Sequence, residues 1–173
     1  MQMSEQFSTL THANSLNLEI GCSKEPATDD IRLDIVRQEG MNNFVQASAI
    51  FLPFKKQAFD WVYCFHTLEH LEHPSFLLKE IRRVSKIGTV IRVPYRMFAW
   101  GCRGHLSSFT SSWFRKAFPK DFVRTEIQLL MDHYSIIFLQ LEARIEWRRT
   151  VPIISSTRNQ ISGLLWSGGR ESK

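Results

Sequence analysis

Cysteine is scarce in this chain. Cys22, Cys64 and Cys102 are odd in number and far apart, so they build no disulfide framework, and a reducing cytoplasm suits them best. Long apolar runs are missing too. The longest uncharged, strongly apolar stretch is SIIFLQL, far below the roughly 18 residues of a membrane span, so no membrane-spanning helix is expected. The start, MQMSEQFSTLTHANS, lacks the basic-then-apolar order of a secretory signal. No internal repeat is visible. Acidic residues nearly vanish over 75–120, where ten Lys/Arg face one Glu, whereas 1–74 carries five Lys/Arg and ten Asp/Glu. Two readings of this asymmetry stay open: a solvated helix face, or a second half that meets an anionic group such as a phosphate, an acidic lipid or a nucleic acid. No motif supports the nucleic acid, and nothing in the sequence sets an oligomeric state.

What is present argues for a packed globule. Of the 173 residues, 43% are hydrophobic, with 13 Phe and 5 Trp, which excludes wholesale disorder and suits one domain. Residues 1–15 read as a polar arm, 16–150 as the folded domain and 151–173 as a tail that docks partly at best. SLNLEI is the first strand, ending in Gly21-Cys22-Ser23; small residues there let the backbone approach a ligand. Cys22 reads as a small buried filler. IRLDI brings Asp34 to its carboxyl end. The connection between these strands is about ten residues, shorter than an ordinary parallel crossover. FVQAS and FDWVYCF follow as strands three and four, the latter nearly continuous apolar, as a strand buried on both faces would be.

A helix is predicted from about Pro74 to Lys86. Phe76, Leu77, Ile81 and Val84 make its apolar face, Pro74 opens it and Gly88 ends it. TVIRV is strand five, stopped by Pro94. Residues 95–112 form a loop over the carboxyl ends of the strands, and a helix runs from about Ser111 to Phe118. Two alternating runs then give an antiparallel hairpin at the sheet edge, with Asp132-His133-Tyr134 at the turn. Trp61, Tyr63 and Phe65 are expected in the core, and His73 at the surface. Strand–loop–strand–helix–strand order predicts a three-layer α/β architecture, with ligands beyond the carboxyl ends of the strands.

These residues resemble class I S-adenosylmethionine-dependent methyltransferases of the small-molecule type, in a compact form. LNLEIGCS resembles the first motif of that family. AIFLPFKKQAFDWVYCFHTLEHLEHPSFLLKEIRRVSKIG resembles its longest signature, and GHLSSFT a segment that follows strand five. The resemblance spans about residues 16–115. It implies a Rossmann-like, seven-stranded, mostly parallel sheet with an antiparallel C-terminal hairpin, and S-adenosyl-L-methionine as methyl donor. Glu19 would help hold the methionine end, and Gly21 and Ser23 would pass under the donor. Asp34 would accept hydrogen bonds from the ribose hydroxyls. Ser48 and Ala49 would lie at the adenine, and Phe65 and His66 would line the methionine side.

The sequence departs from the pattern at three places. Ser23 stands where Gly is usual, Ser48 where Asp is usual, and Lys86-Ile87-Gly88-Thr89 replaces a Lys-Pro-Gly-Gly turn, so that strand five starts early. The function expected is methyl transfer to a small-molecule or anionic acceptor, with His105 as the candidate catalytic base. The alternative is a catalytically eroded S-adenosylmethionine-binding scaffold or regulatory module.

His66-Thr67-Leu68-Glu69-His70 also matches an inverted zinc-peptidase motif. On a helix, His66 and His70 would face one way and share zinc, with Glu69 as base. The stretch follows a buried strand directly and lies only four residues before Pro74, too little room for the helix such a site needs. No metal is therefore expected there, and the turn reads as the wall beside a methyl donor.

Overall fold

In the computed structural model, the residues described are 15–22, 31–37, 39–95, 104–118, 122–131 and 139–147. The expected arm and tail fall almost wholly outside them, as do Ser23, Cys102 and the hairpin turn at 132–134. The strands are β1 (Leu18–Ile20), β2 (Ile31–Asp34), β3 (Phe44–Gln46), β4 (Phe59–Phe65), β5 (Ser85–Pro94), β6 (Phe122–Met131) and β7 (Leu139–Trp147). They form one seven-stranded sheet in the order β3-β2-β1-β4-β5-β7-β6. The first five pair in parallel, and β7 inserts antiparallel between β5 and β6. The expected Rossmann-like sheet and its antiparallel hairpin are both present. The chain order reverses between β1 and β4, so ligand-binding crevices are expected at the carboxyl ends of these two strands.

Two helices are described, α1 (Pro74–Val84) and α2 (Ser111–Ala117). Pro74 begins α1 because its missing N–H is one that the first turn leaves unpaired anyway. Leu77, Leu78, Ile81 and Val84 are buried, each worth about 1.5–3 kcal/mol of gross burial. Phe76, expected among them, is 49% exposed. Each helical step turns by about 100°, which puts Phe76 outside the stripe running from Leu77 through Ile81 to Leu78. Instead Lys79 Nζ sits 5.4 Å from its ring centre.

The end of α1 differs from the sequence reading. The helix stops at Val84, and Ser85 is already extended. Ser85 Oγ donates to Ile81 O at 2.6 Å and accepts from Trp147 Nε1 at 2.7 Å, which ties the helix end to β7. Gly88 is not a helix terminator but an interior residue of β5. A Cβ there would lie 2.2 Å from Ile145 O and 2.8 Å from Trp61 Cζ3. Close packing of β7 and the Trp61 ring, rather than a turn, is what requires glycine.

The larger core cluster contains Leu18, Ile20, Leu33, Phe54, Phe59, Val62, α1's stripe, Phe109, Phe114 and Ile145. A smaller cluster of Trp61, Tyr63 and Val90, with Phe65 and Ile87 against it, occupies the other face. Among the described residues both α-helices pack on the face of the larger cluster, and the layer expected on the other face lies outside them. Several basic residues of 75–120 are engaged internally. Arg82 lies 4.8 Å over the Trp147 ring, Lys86 pairs with Asp60 at 3.2 Å and Arg92 with Glu142 at 2.5 Å.

Candidate functional site

The LPF loop shows how the middle signature holds its shape. Arg83 Nε and Nη2 grip both oxygens of Glu80 at 2.7 and 2.6 Å. The same guanidinium donates to Phe54 O at 2.6 Å and Leu52 O at 2.8 Å, while Glu80 Oε2 accepts Leu52 N at 2.8 Å. Arginine's planar fork supplies donors for two carbonyls and a carboxylate at once. Burial acts to raise the Glu80 carboxyl, but the bonds from Arg83 and Leu52 outweigh it, so it lies below its usual value. The hydrogen bond to Glu80 holds the Arg83 guanidinium above its own. The loop between β3 and β4 is therefore clamped to α1.

Beyond this clamp, the ends of β1, β2, β3, β4 and β5 open on one edge of the sheet. Glu19 is 3% exposed in β1, opposite Arg32 and Tyr63, so it is not a solvent-facing strand residue. Gly21 ends the strand with φ +74° and donates to Leu33 O at 2.8 Å. The space its side chain would fill belongs to Thr67, since a Cβ would sit 1.8 Å from Thr67 Oγ1. Thr67 Oγ1 lies 3.2 Å from Ile20 O and 3.0 Å from Phe65 O, and so ties the end of β1 to the end of β4. Sequence reasoning passed over Thr67; only the clash with Gly21 reveals it.

Asp34 closes β2. One carboxylate oxygen accepts Val36 N at 2.9 Å, and its carbonyl accepts Ala47 N at 3.0 Å. Ser48 and Ala49 follow β3, half-buried, in a turn closed by Phe51 N to Ser48 O at 3.2 Å. Phe65 is half-buried at the end of β4, with the Arg92 guanidinium 5.0 Å over its ring. His66 comes next at φ +50°, a conformation rare for a residue with a side chain and common at functional sites. Cys22 is buried, and burial, followed by the charges of Asp34 and Glu19, pushes its thiol up to about 11. That is inert filler, as expected. Burial and the Glu69 charge raise Cys64 as well.

The segment 104–110 closes over the end of β4. Leu106 N and Ser107 N donate to Glu69 O at 2.7 and 3.1 Å, and Ser107 Oγ donates to Leu71 O at 3.1 Å. Phe109 is 1% exposed and meets Trp113 edge-on at 4.7 Å. Thr110 caps α2 by accepting Trp113 N at 3.2 Å. The GHLSSFT stretch is thus an anchor and a helix cap that hold His105 in place. His105 lies edge-on to His70, with ring centres 5.0 Å apart.

The His-rich turn is one short 3-10 helix, Leu68–His70, too short to align His66 with His70 as a zinc-peptidase helix would. The structure groups Glu69 and His70 with His105 instead. Of the residues expected at the site, Gly21, Asp34, Phe65 and His66 lie at the carboxyl ends of parallel strands and Ser48 and Ala49 in the turn after β3, Glu19 is buried in β1, and His105 lies against His70. Ser23 lies outside the described residues.

The model of a family described as "Methyltransferase domain" matches residues 18–93. Among solved structures, a chain from Thermotoga maritima described as a SAM-dependent methyltransferase, possible histamine N-methyltransferase, superposes with a TM-score of 0.62 at 17% identity, covering 84% of this chain and 88% of its own. A chain in the complex of the Haloferax volcanii Trm112 methyltransferase activator with a putative methyltransferase gives 0.68 at 14% identity, covering 88% and 91%. A putative methyltransferase from Bacillus halodurans gives 0.64 at 10%, covering 86% and 99%. A search of curated protein sequences finds no match.

Proposed function

We infer that this chain is a class I S-adenosylmethionine-dependent methyltransferase that transfers a methyl group to a small-molecule or anionic acceptor, a reading supported by the methyltransferase-domain match over residues 18–93 and by the shared fold. The observation that carries this reading is the convergence of Gly21, Asp34, Ser48, Ala49, Phe65 and His66 on one sheet edge, under the segment that presents His105.

The residues present suit the donor. The Asp34 carboxylate ends β2 with one oxygen held by Val36 N, and two acceptor oxygens match the vicinal hydroxyls of a ribose. Ser48 and Ala49 border the adenine position, with Ser48 offering a hydroxyl where a carboxylate is usual. Buried Glu19 supplies negative charge behind β1's end, toward the amino group of the methionine portion. Phe65 and His66 wall the sulfonium side. When bound, S-adenosylmethionine would supply an electrophilic methyl carbon open to an acceptor's lone pair, with S-adenosylhomocysteine as the leaving group that keeps the carbon–sulfur electron pair. The protein's part is alignment. The strand ends fix the donor, and segment 104–110 covers the acceptor side and excludes water. His105, whose ring stands beside His70, is the candidate base for the proton an acceptor hydroxyl or amine must lose.

No feature of the described residues favours an eroded scaffold. The test is calorimetry with S-adenosylhomocysteine, followed by methyl transfer from labelled donor to acceptor pools. Asp34→Asn keeps the oxygen that accepts Val36 N–H but removes the charge. Losing charge-assisted hydrogen bonds should weaken the product's binding by about 10–100-fold. Wild-type protein that binds neither donor nor product would end this reading.

A further inference from the structure

One group at the site is left unexplained by methyl transfer alone. Glu69 is 1% exposed, and among the described residues neither of its carboxylate oxygens has a hydrogen-bond partner. The nearest cation-forming group is His66, with Nδ1 3.4 Å from Glu69 Oε1, and it carries charge only when protonated. A buried carboxylate without hydrogen bonds is strongly disfavoured unless something positive sits beside it. His105 Nδ1 is likewise buried without a hydrogen-bond partner among the described residues. One donor atom each from Glu69, His70 and His105 lie within 4.8 Å of one another.

We propose that Glu69, His70 and His105 form a site for a divalent transition-metal ion, with one carboxylate and two imidazole ligands. The tautomer of His70 fits this role. Its Nδ1 lies 2.9 Å from Gly104 O, and a carbonyl only accepts, so Nδ1 carries the proton. Nε2 is then left with its lone pair for a metal, held by the outer hydrogen bond that metal-binding histidines usually make. The rest of the frame is backbone. Leu106 N and Ser107 N, bonded to Glu69 O, clip the segment carrying His105 to the turn carrying Glu69 and His70. His70 is exposed, which gives an ion a route in. Bonds of about 2.1 Å at tetrahedral angles put donors about 3.4 Å apart, so from separations of up to 4.8 Å the side chains must close by as much as roughly 1.4 Å on binding.

Two nitrogens and one oxygen select zinc, manganese, cobalt or ferrous iron over magnesium and calcium, which prefer oxygen-only cages. Three protein ligands leave coordination positions open, as at catalytic metal sites. The role of the ion, though not the site, rests on the methyl-transfer reading. At an open position it would hold an acceptor oxygen and lower its proton affinity, which replaces the base role given to His105 above whenever the ion is bound.

Cobalt titration of untagged, chelator-treated full-length protein, followed by visible absorption and competed with zinc, tests the site without any methyl donor. The expected result is one saturable equivalent, with apparent affinity reduced at least about tenfold in Glu69→Gln and in His105→Ala. His70→Ala changes an exposed side chain and should also bind weakly while melting like wild type. Melting curves and S-adenosylhomocysteine binding identify any variant that has lost its fold, and such a variant is set aside in favour of His70→Ala. Absence of a saturable equivalent in wild type overturns the proposal. So does cobalt binding of wild-type affinity in a folded His70→Ala or His105→Ala. Failure of S-adenosylhomocysteine to bind, with cobalt binding intact, would instead overturn the methyl-transfer reading and leave the metal site standing.

Discussion

Gly21→Ala is the substitution whose consequences the structure specifies most closely. Two costs add. Alanine at φ +74° carries the left-handed penalty of about 1–2 kcal/mol. The new Cβ would also fall 1.8 Å from Thr67 Oγ1, so Thr67 must rotate. It then gives up its contacts with Ile20 O and Phe65 O, one shared proton worth about 1 kcal/mol. The sum is about 2–3 kcal/mol, or roughly 4–12 °C of melting temperature for a chain of this length. A double-mutant cycle separates the two costs. Thr67→Ala alone should lose about 1 kcal/mol. In that background Gly21→Ala should cost only the backbone term, because the nearest remaining atom is Thr67 Cβ at 3.1 Å. The expected coupling is about 1 kcal/mol, above the roughly 0.3–0.5 kcal/mol scatter of independent sites. Urea unfolding of the four proteins, monitored by tryptophan fluorescence, measures it. Equal cost of Gly21→Ala in both backgrounds would refute the Thr67 argument, and a stable Gly21→Ala protein would refute both parts.

The Glu80–Arg83 clamp yields a mutation and a pH dependence. Arg83→Lys keeps the charge but loses the fork, and should cost about 1.5–3 kcal/mol in denaturant titration at neutral pH. Because the Glu80 carboxyl lies below its unfolded value of 4.5 in the folded protein, its contribution is complete above that pH and is lost as pH falls through the lower folded value. The stability gap between wild type and Glu80→Gln should therefore shrink under acid, and a gap that is constant with pH would contradict the clamp. Gly88→Ala pushes a Cβ against the backbone of β7 and should cost about 1–3 kcal/mol or more, read as a lower urea midpoint with an unchanged slope. With its thiol raised from 9.0 to about 11, native Cys22 should be alkylated about 100-fold more slowly than a free thiol near neutral pH. Mass spectrometry of the native and unfolded protein counts the labelled sites.

Much of the fold was legible because it rests on local pattern. FDWVYCF gave β4 at its observed bounds, Pro74 marked the start of α1, and the strict alternation of 139–147 marked β7, with Ala143, Ile145 and Trp147 buried as it requires. Phe76 and Gly88 were misjudged because their surroundings are not local. Phe76 lies beyond a stripe that only the docking angle of α1 defines. Gly88 was read by its place in sequence as a cap, although its neighbour is Ile145, which comes from the other end of the chain.

The candidate site divides along the same line. Residue type and order alone placed Gly21, Asp34 and His66 at strand ends, because a parallel sheet puts every strand's carboxyl end on one edge; Ser48 was expected to end strand three, but β3 stops at Gln46 and Ser48 lies in the turn beyond it. Sequence also singled out His105, though without a partner. What the tertiary structure decided is which side chains meet. Thr67 fills the space over Gly21, Arg83 locks the LPF loop, and Glu69 and His70 stand with His105 rather than His66. Each of these rests on backbone hydrogen bonds or packing between segments distant in sequence. Hydrophobic periodicity and motif spacing record which face a residue takes, but the distance between two loops depends on where the whole sheet sets them.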